Sequence, residues 1–326
     1  MHTYKQSDFY HGLRKSDFYK LLSPPLIALI MIGANAAALG AQNIDPTVGS
    51  KPLDPSTFRA VTALFHYDQT IPLDARVLDR SETDLYTREK IVFSGVRGAR
   101  VPGYLAFPKY QKGCLPLILL IHAGSGSKEV WWEAESFERG KIISESLLRL
   151  GFAVLALDAQ FHGERSANND YLPVSSMYFD QKWFFRFRDG VIETVGDYFR
   201  AIDYLKSRVE VDVTRLGVVG HSMGGVIALI IAALNPNTKA AVGCVAALSE
   251  PWMYPVTPTN LAQGIKAPTL LLAGRSDEFF SVDSSQRLYA SLKVKIKKLE
   301  FYDSSHRLPE SNIARTVDWL RQYMAK

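Results

Sequence analysis

An α/β fold with a mostly parallel central sheet and helices on both faces is what this sequence predicts. Three observations carry that expectation. From about residue 55 strand-like and helix-like segments alternate, the strand-like ones are near-continuous apolar runs, and each run stops at a small or polar residue. In such sheets ligands bind beyond the carboxyl ends of the strands, so chemistry is to be sought where the runs stop.

The chain opens on a different composition. No charged residue lies between Lys20 and Asp45, and "LIALIMIGANAAALGAQ" passes from strongly apolar to small residues behind Lys5, Arg14, Lys15 and Lys20. That order predicts a signal peptide over residues 1–41, with "AAALGA" as the cut, and hence export to the periplasm or outside the cell. Membrane attachment through the same segment stays open, although Pro24, Pro25 and Asn35 count against a spanning helix. "SDFY" occurs twice, at 7–10 and 16–19, and nothing physical explains it. Residues 42–88 read as an extension with one helix, "STFRAVTALFHYD".

The α/β domain is expected over 89–326. "EKIVFSGVRGARVPGYLAFP" has two β-rich arms about a glycine turn and predicts an antiparallel hairpin at the sheet edge. The buried strands follow as "LPLILLIHAG", "GFAVLALDAQ", "RLGVVGHS", "AAVGCVAAL" and "APTLLLAGRSD", placing His122, Asp158, Ser222 and Asp277 at strand ends. Residues 166–190 are rich in aromatics and read as a small cap insertion, before a helix over 191–207. Within that insertion Phe185, Arg186, Phe187 and Arg188 alternate, which fits either a strand-like face or a clamp for an acidic substrate.

"GHSMGG" sits between the strand "RLGVV" and the helical "VIALIIAAL". A serine on so tight a strand-to-helix turn is held in a strained conformation that lifts its hydroxyl above the sheet. Gly220 and Gly224 make room for the turn and Gly225 lets the helix pack close, so these glycines serve to expose Ser222. A serine hydroxyl needs an imidazole to take its proton. Of the seven histidines only His306, in the loop "YDSSHRLPE", follows Ser222. The carboxylates between the two are Glu250, Asp277, Glu278, Asp283, Glu300 and Asp303. Asp277 directly follows a buried strand and is the expected partner of the imidazole, with Glu278 and Asp283 as fallbacks.

The same turn directs the Met223 amide toward a developing oxyanion, and the small-residue loop after His122 brings a second amide, that of Gly124. His122 and His162 are read as structural. Trp131, Trp132 and Trp252 are candidates for an apolar substrate wall, or else anchors of their segments to the core.

The chain of 326 residues is 47% hydrophobic and 22% charged, enough for a large core. Its formal net charge of +5 is spread out, with no run of five or more basic residues, so a nucleic-acid partner is not expected. The two cysteines, Cys114 and Cys244, are both expected to be small buried residues and not a disulfide framework. Histidine and cysteine spacings offer no zinc site, and no metal or cofactor is expected.

"VPGYLAFPK", "LILLIHAG", "LALDAQFHGER", "DVTRLGVVGHSMGG", "LLLAGRSDEFF" and "DSSHRLPE" together span roughly residues 89–310. On these the chain resembles the α/β-hydrolases of the esterase branch that includes dienelactone hydrolases, acetyl xylan esterases and the catalytic domains of prolyl-oligopeptidase-like enzymes. "HAG" departs from the "HGG" or "HGx" of many members, but alanine still offers an amide. The resemblance implies an α/β-hydrolase fold, a Ser222–His306–Asp277 triad with Met223 and Gly124 as oxyanion donors, and cleavage of small-molecule esters through an acyl-enzyme. An amidase or peptidase using the same triad is the alternative, although the extension is too short for a propeller. A non-catalytic binding module on this fold is the more distant one.

Overall fold

The computed structural model describes residues 51–111 and 113–324. The expected leader, residues 1–41, and the start of the extension lie outside the described residues. Among those described, no helix is long and apolar enough to cross a membrane.

The chain enters through α1 (Pro55–Thr62), capped by the Asp54 carboxylate on the Ser56 and Thr57 amides, and a short 3₁₀ turn over Ala63–Phe65. Three antiparallel strands follow, β1 (Arg76–Glu82), β2 (Tyr86–Ser94) and β3 (Arg100–Pro108). Then come β4 (Leu115–Ile121), α2 (Gly140–Arg149), β5 (Ala153–Leu157), α3 (Val174–Phe179), α4 (Phe184–Leu205) and β6 (Val211–His221). The remainder is α5 (Met223–Leu234), β7 (Thr238–Cys244), α6 (Pro258–Leu261), β8 (Thr269–Gly274), α7 (Val282–Ser291), β9 (Lys297–Tyr302) and α8 (Ser311–Met324).

These strands form a nine-stranded sheet in the order β1-β2-β3-β5-β4-β6-β7-β8-β9, among the described residues. The six strands from β5 to β9 in that order run parallel. Because side chains alternate across a strand, Leu117, Leu119 and Ile121 of β4 face one core while Ile118 and Leu120 face another. The first core holds α4 and α5, the second α2 and α8. Every residue of α5 from Met223 to Ala233 is buried, which accounts for its lack of a polar face. The chain leaves β4 toward β5 on one side, yet leaves β6 toward β7 on the other. The carboxyl ends of β4 and β6 therefore flank the switch point of the sheet, the place where ligands bind in such folds.

Three expectations need correction. The hairpin β2–β3 is not the edge, because β1 pairs outside it. "RVLDRSE" has no apolar alternation and is almost wholly exposed, so periodicity could not reveal it, and its charges suit an edge strand. The alternating residues 185–188 are the first turns of α4, whose Arg186 guanidinium lies over the Phe161 and Trp183 rings at 5.0 and 5.4 Å. Cys244 is buried but Cys114 is exposed, since it lies on a bend just before β4 and is not part of the buried run.

Candidate active site

Ser222 joins β6 to α5 at φ 56° and ψ −121°, a conformation that costs about 1–3 kcal/mol and is held by its surroundings. Its amide donates to the Cys244 carbonyl at 2.9 Å, and its carbonyl accepts from the Val226 amide at 3.0 Å. A Cβ on Gly220 would overlap the Gly224 carbonyl, and one on Gly224 would overlap the Ile121 carbonyl at the end of β4. Only bare backbone lets β4, β6 and α5 meet this closely.

The loop after β9 brings His306 over the serine, with Nε2 at 2.8 Å from Ser222 Oγ. Its Nδ1 lies 3.0 Å from each oxygen of Asp277, in the loop after β8. A carboxylate only accepts, so Nδ1 carries the hydrogen and Nε2 is free to accept the hydroxyl proton. The Asp277 side chain is 1% exposed and that of His306 10%. Asp277 Oδ1 also accepts from the Phe279 and Phe280 amides at 2.8 and 3.1 Å. Glu278 takes a separate part, accepting the His306 backbone amide at 3.0 Å and so anchoring the loop. Asp283 pairs with Arg287 on α7, away from the imidazole.

Gly124 and Met223 lie side by side, since a Cβ built on Gly124 would stand 3.8 Å from the Met223 Cβ. Outside the helix, neither amide donates to another described residue. His122 sets the direction of the first. The Ala159 amide donates to its Nε2 at 3.0 Å, so Nδ1 carries the hydrogen and gives it to the Ala123 carbonyl at 2.7 Å. That carbonyl and the Gly124 N–H belong to one planar peptide. Burial holds the His122 ring neutral, pulling its pKa to about 3. The Ala123 amide donates to the buried Glu138 Oε1 at 3.0 Å, and the Gly124 carbonyl faces His162 Nε2 at 2.9 Å. Glu138, whose carboxyl is pushed up by burial, was not legible in the sequence because only the fold brings it under this loop.

His221, within the turn itself, is buried and pulled to about 3 by burial and then by His306, its ring centroid 5.8 Å away. Asp158 stays outside this constellation. Fully buried, it accepts from the Lys128 ammonium at 2.9 Å and from the Lys128 and Glu164 amides at 2.9 and 3.0 Å.

Trp131 is buried in the core that holds α2. Trp132 packs against Tyr86 and Tyr104, with centroids at 5.3 and 6.1 Å. Trp252 stacks on Phe184 at 5.3 Å and meets Tyr178 and Phe187 edge-on. None of the three lines the small cavity beside Met223, which is bounded by Phe161, His162, Met177, Phe187 and Val191. A larger groove of ≈ 410 Å³ lies elsewhere, between α1 and the end of α5, at the amino-end rim of the sheet. Among the described residues no cluster of three His, Cys, Asp or Glu side chains is arranged to hold a metal ion.

A family model described as "Dienelactone hydrolase family" matches residues 101–306. A Bacillus subtilis protein named "Putative hydrolase YtaP" is 30% identical over 147 residues, which are 44% of this chain and 47% of that protein. The chain thus spans about half the length of the first curated relatives it matches, 47% and 51% of theirs. A cold-adapted esterase from an Arctic intertidal metagenomic library superposes with a TM-score of 0.61 at 22% identity, covering 76% of this chain and 98% of its own. Acetyl xylan esterase 1 from Thermoanaerobacterium sp. gives 0.62 at 17% identity, covering 85% of this chain and 96% of its own. At these identities the superpositions speak to the fold.

Proposed function

Because the chain belongs to the dienelactone hydrolase family, we propose that it hydrolyses carboxylic esters through an acyl-serine intermediate. The observation that carries this reading is the continuous line from Ser222 Oγ through the His306 ring to Asp277, at 2.8 and 3.0 Å. Ser222 Oγ forms a bond to the ester carbonyl carbon as its proton passes to His306 Nε2. Negative charge collects on the carbonyl oxygen, which the Gly124 and Met223 amides stabilise. The C–O bond to the alcohol then breaks, and the alcohol leaves with the proton from Nε2. Water, deprotonated by the same nitrogen, adds to the acyl carbon and releases the acid and Ser222. Asp277 holds the ring in the required tautomer and stabilises its charged form throughout.

A panel of nitrophenyl esters beside aminoacyl anilides tests this directly. The esters are expected to turn over, and Ser222→Ala or His306→Ala is expected to lower kcat by on the order of 10⁶. Turnover confined to anilides would replace the esterase reading with an amidase one, and unchanged turnover in Ser222→Ala would end both.

A further inference from the structure

The short segment from Ser136 to Arg139, just before α2, touches both the loop that carries Gly124 and the loop that carries His306, although it belongs to neither. Glu138 Oε1 accepts from the Ala123 amide at 3.0 Å. The next residue, Arg139, donates from Nη1 to the Leu308 carbonyl at 3.0 Å, two residues beyond His306. Phe137 meets the His221 ring edge-on at 5.1 Å and lies 6.2 Å from that of His306, with the Arg307 guanidinium over it at 5.7 Å.

With its carbonyl taken by His122 and its N–H by Glu138, Ala123 is fixed at both ends, and so is the direction of the Gly124 amide that follows it. Glu138 is 5% exposed, and its Oε2 accepts from no other described residue. Burying a carboxyl with one oxygen unmet works against stability, so what the fold gains from it is the amide it holds. The segment itself is braced. Arg139 stands in the left-handed region at φ 50°, costly for a residue with a side chain, and its amide donates to the Ser136 carbonyl at 3.0 Å. The Gly140 amide donates to Ser136 Oγ at 2.9 Å, and a Cβ on Gly140 would overlap the Val130 carbonyl.

From these contacts we infer that Glu138 and Arg139 are positioning residues, Glu138 aiming the Gly124 amide at the oxyanion and Arg139 holding the His306 loop to the same segment. The inference rests on the acyl-serine reading above. Each side chain acts through a backbone group, and together they give the oxyanion donor and the base one common support.

The test measures kcat and KM on the nitrophenyl ester that the wild type turns over fastest, with folding checked by circular dichroism. Inhibition by an aryl trifluoromethyl ketone is read beside it, since the ketone's adduct with a serine carries an oxyanion. Glu138→Leu is expected to lower kcat on the order of 10²-fold at little change in KM, and to weaken the ketone in parallel. Glu138→Gln, whose amide oxygen still accepts the Ala123 N–H, is expected to recover most of that loss. Arg139→Met is expected to lower kcat about tenfold, and Arg139→Lys, which still donates to Leu308, to recover most of it. A folded Glu138→Leu that loses only thermal stability, with kcat and ketone affinity unchanged, would overturn the inference alone. So would a Glu138→Gln as impaired as Glu138→Leu, or an Arg139→Met as active as the wild type. Arg139→Met, at a half-buried position, decides the outcome should Glu138→Leu not fold. Ester turnover that survives in Ser222→Ala would instead remove the underlying mechanism, and the positioning roles with it.

Discussion

Two buried histidines that take no proton give the molecule a pH dependence of its own. Burial lowers His122 and His221 from 6.5 to about 3 in the fold. In the unfolded chain both rings protonate as pH falls through about 6.5. Between about 6.5 and 3 the unfolded state thus binds more protons, so their contribution is complete above that window and is lost as pH falls through it. Buried carboxyls such as Glu138 and Asp197, raised by desolvation, push the opposite way, so the comparison must be made against a variant. The urea midpoint of the wild type should drop more between pH 7.5 and pH 5 than that of His221→Gln. Equal drops would show that His221 titrates in the fold as it does in the open chain. The meeting of Ser222, His306 and Asp277 was legible residue by residue, from the glycine cage, the single downstream histidine and the strand end. The parts of Glu278 and Glu138 were not, since each depends on a backbone amide delivered by a distant loop.

At the scale of elements, the turn between β6 and α5 is where three of them touch, and Gly224 is the contact. Its Cα lies against the Ile121 and His122 carbonyls, so an added methyl must part β4 from α5. Gly224→Ala is expected to cost about 3 kcal/mol or more of stability, read as a lowered thermal midpoint, with ester turnover lost alongside. A variant as stable and active as the wild type would mean that the turn is looser than described. The strands β4 to β8 were readable because burial on both faces writes itself as an unbroken apolar run. β1 was not, because an exposed strand at an edge carries no such pattern. Nor was the true start of α4, whose first turns bear aromatic and arginine side chains that stack on one another and mask the helical period.

Across the whole molecule, the order of the sheet explains why side chains distant in sequence converge. The strand order reverses between β4 and β6, β6 runs directly into Ser222, and the parallel run through β7, β8 and β9 delivers Asp277 and His306 to the same rim. The aromatic segment around α3 reaches that rim by ring contacts, from Phe179 to Phe279 at 6.3 Å and from Phe279 to His306 at 4.7 Å. Composition alone could place those aromatics near a site but not tell a pocket wall from a brace, and Trp131 and Trp132 sit as core and brace. The most direct measurement is to treat the protein with a fluorophosphonate and map the adduct by peptide mass. The account predicts one adduct, on Ser222, that fails to form in Ser222→Ala and forms far more slowly in His306→Ala. An unlabelled wild type, or an adduct on any other residue, would contradict it.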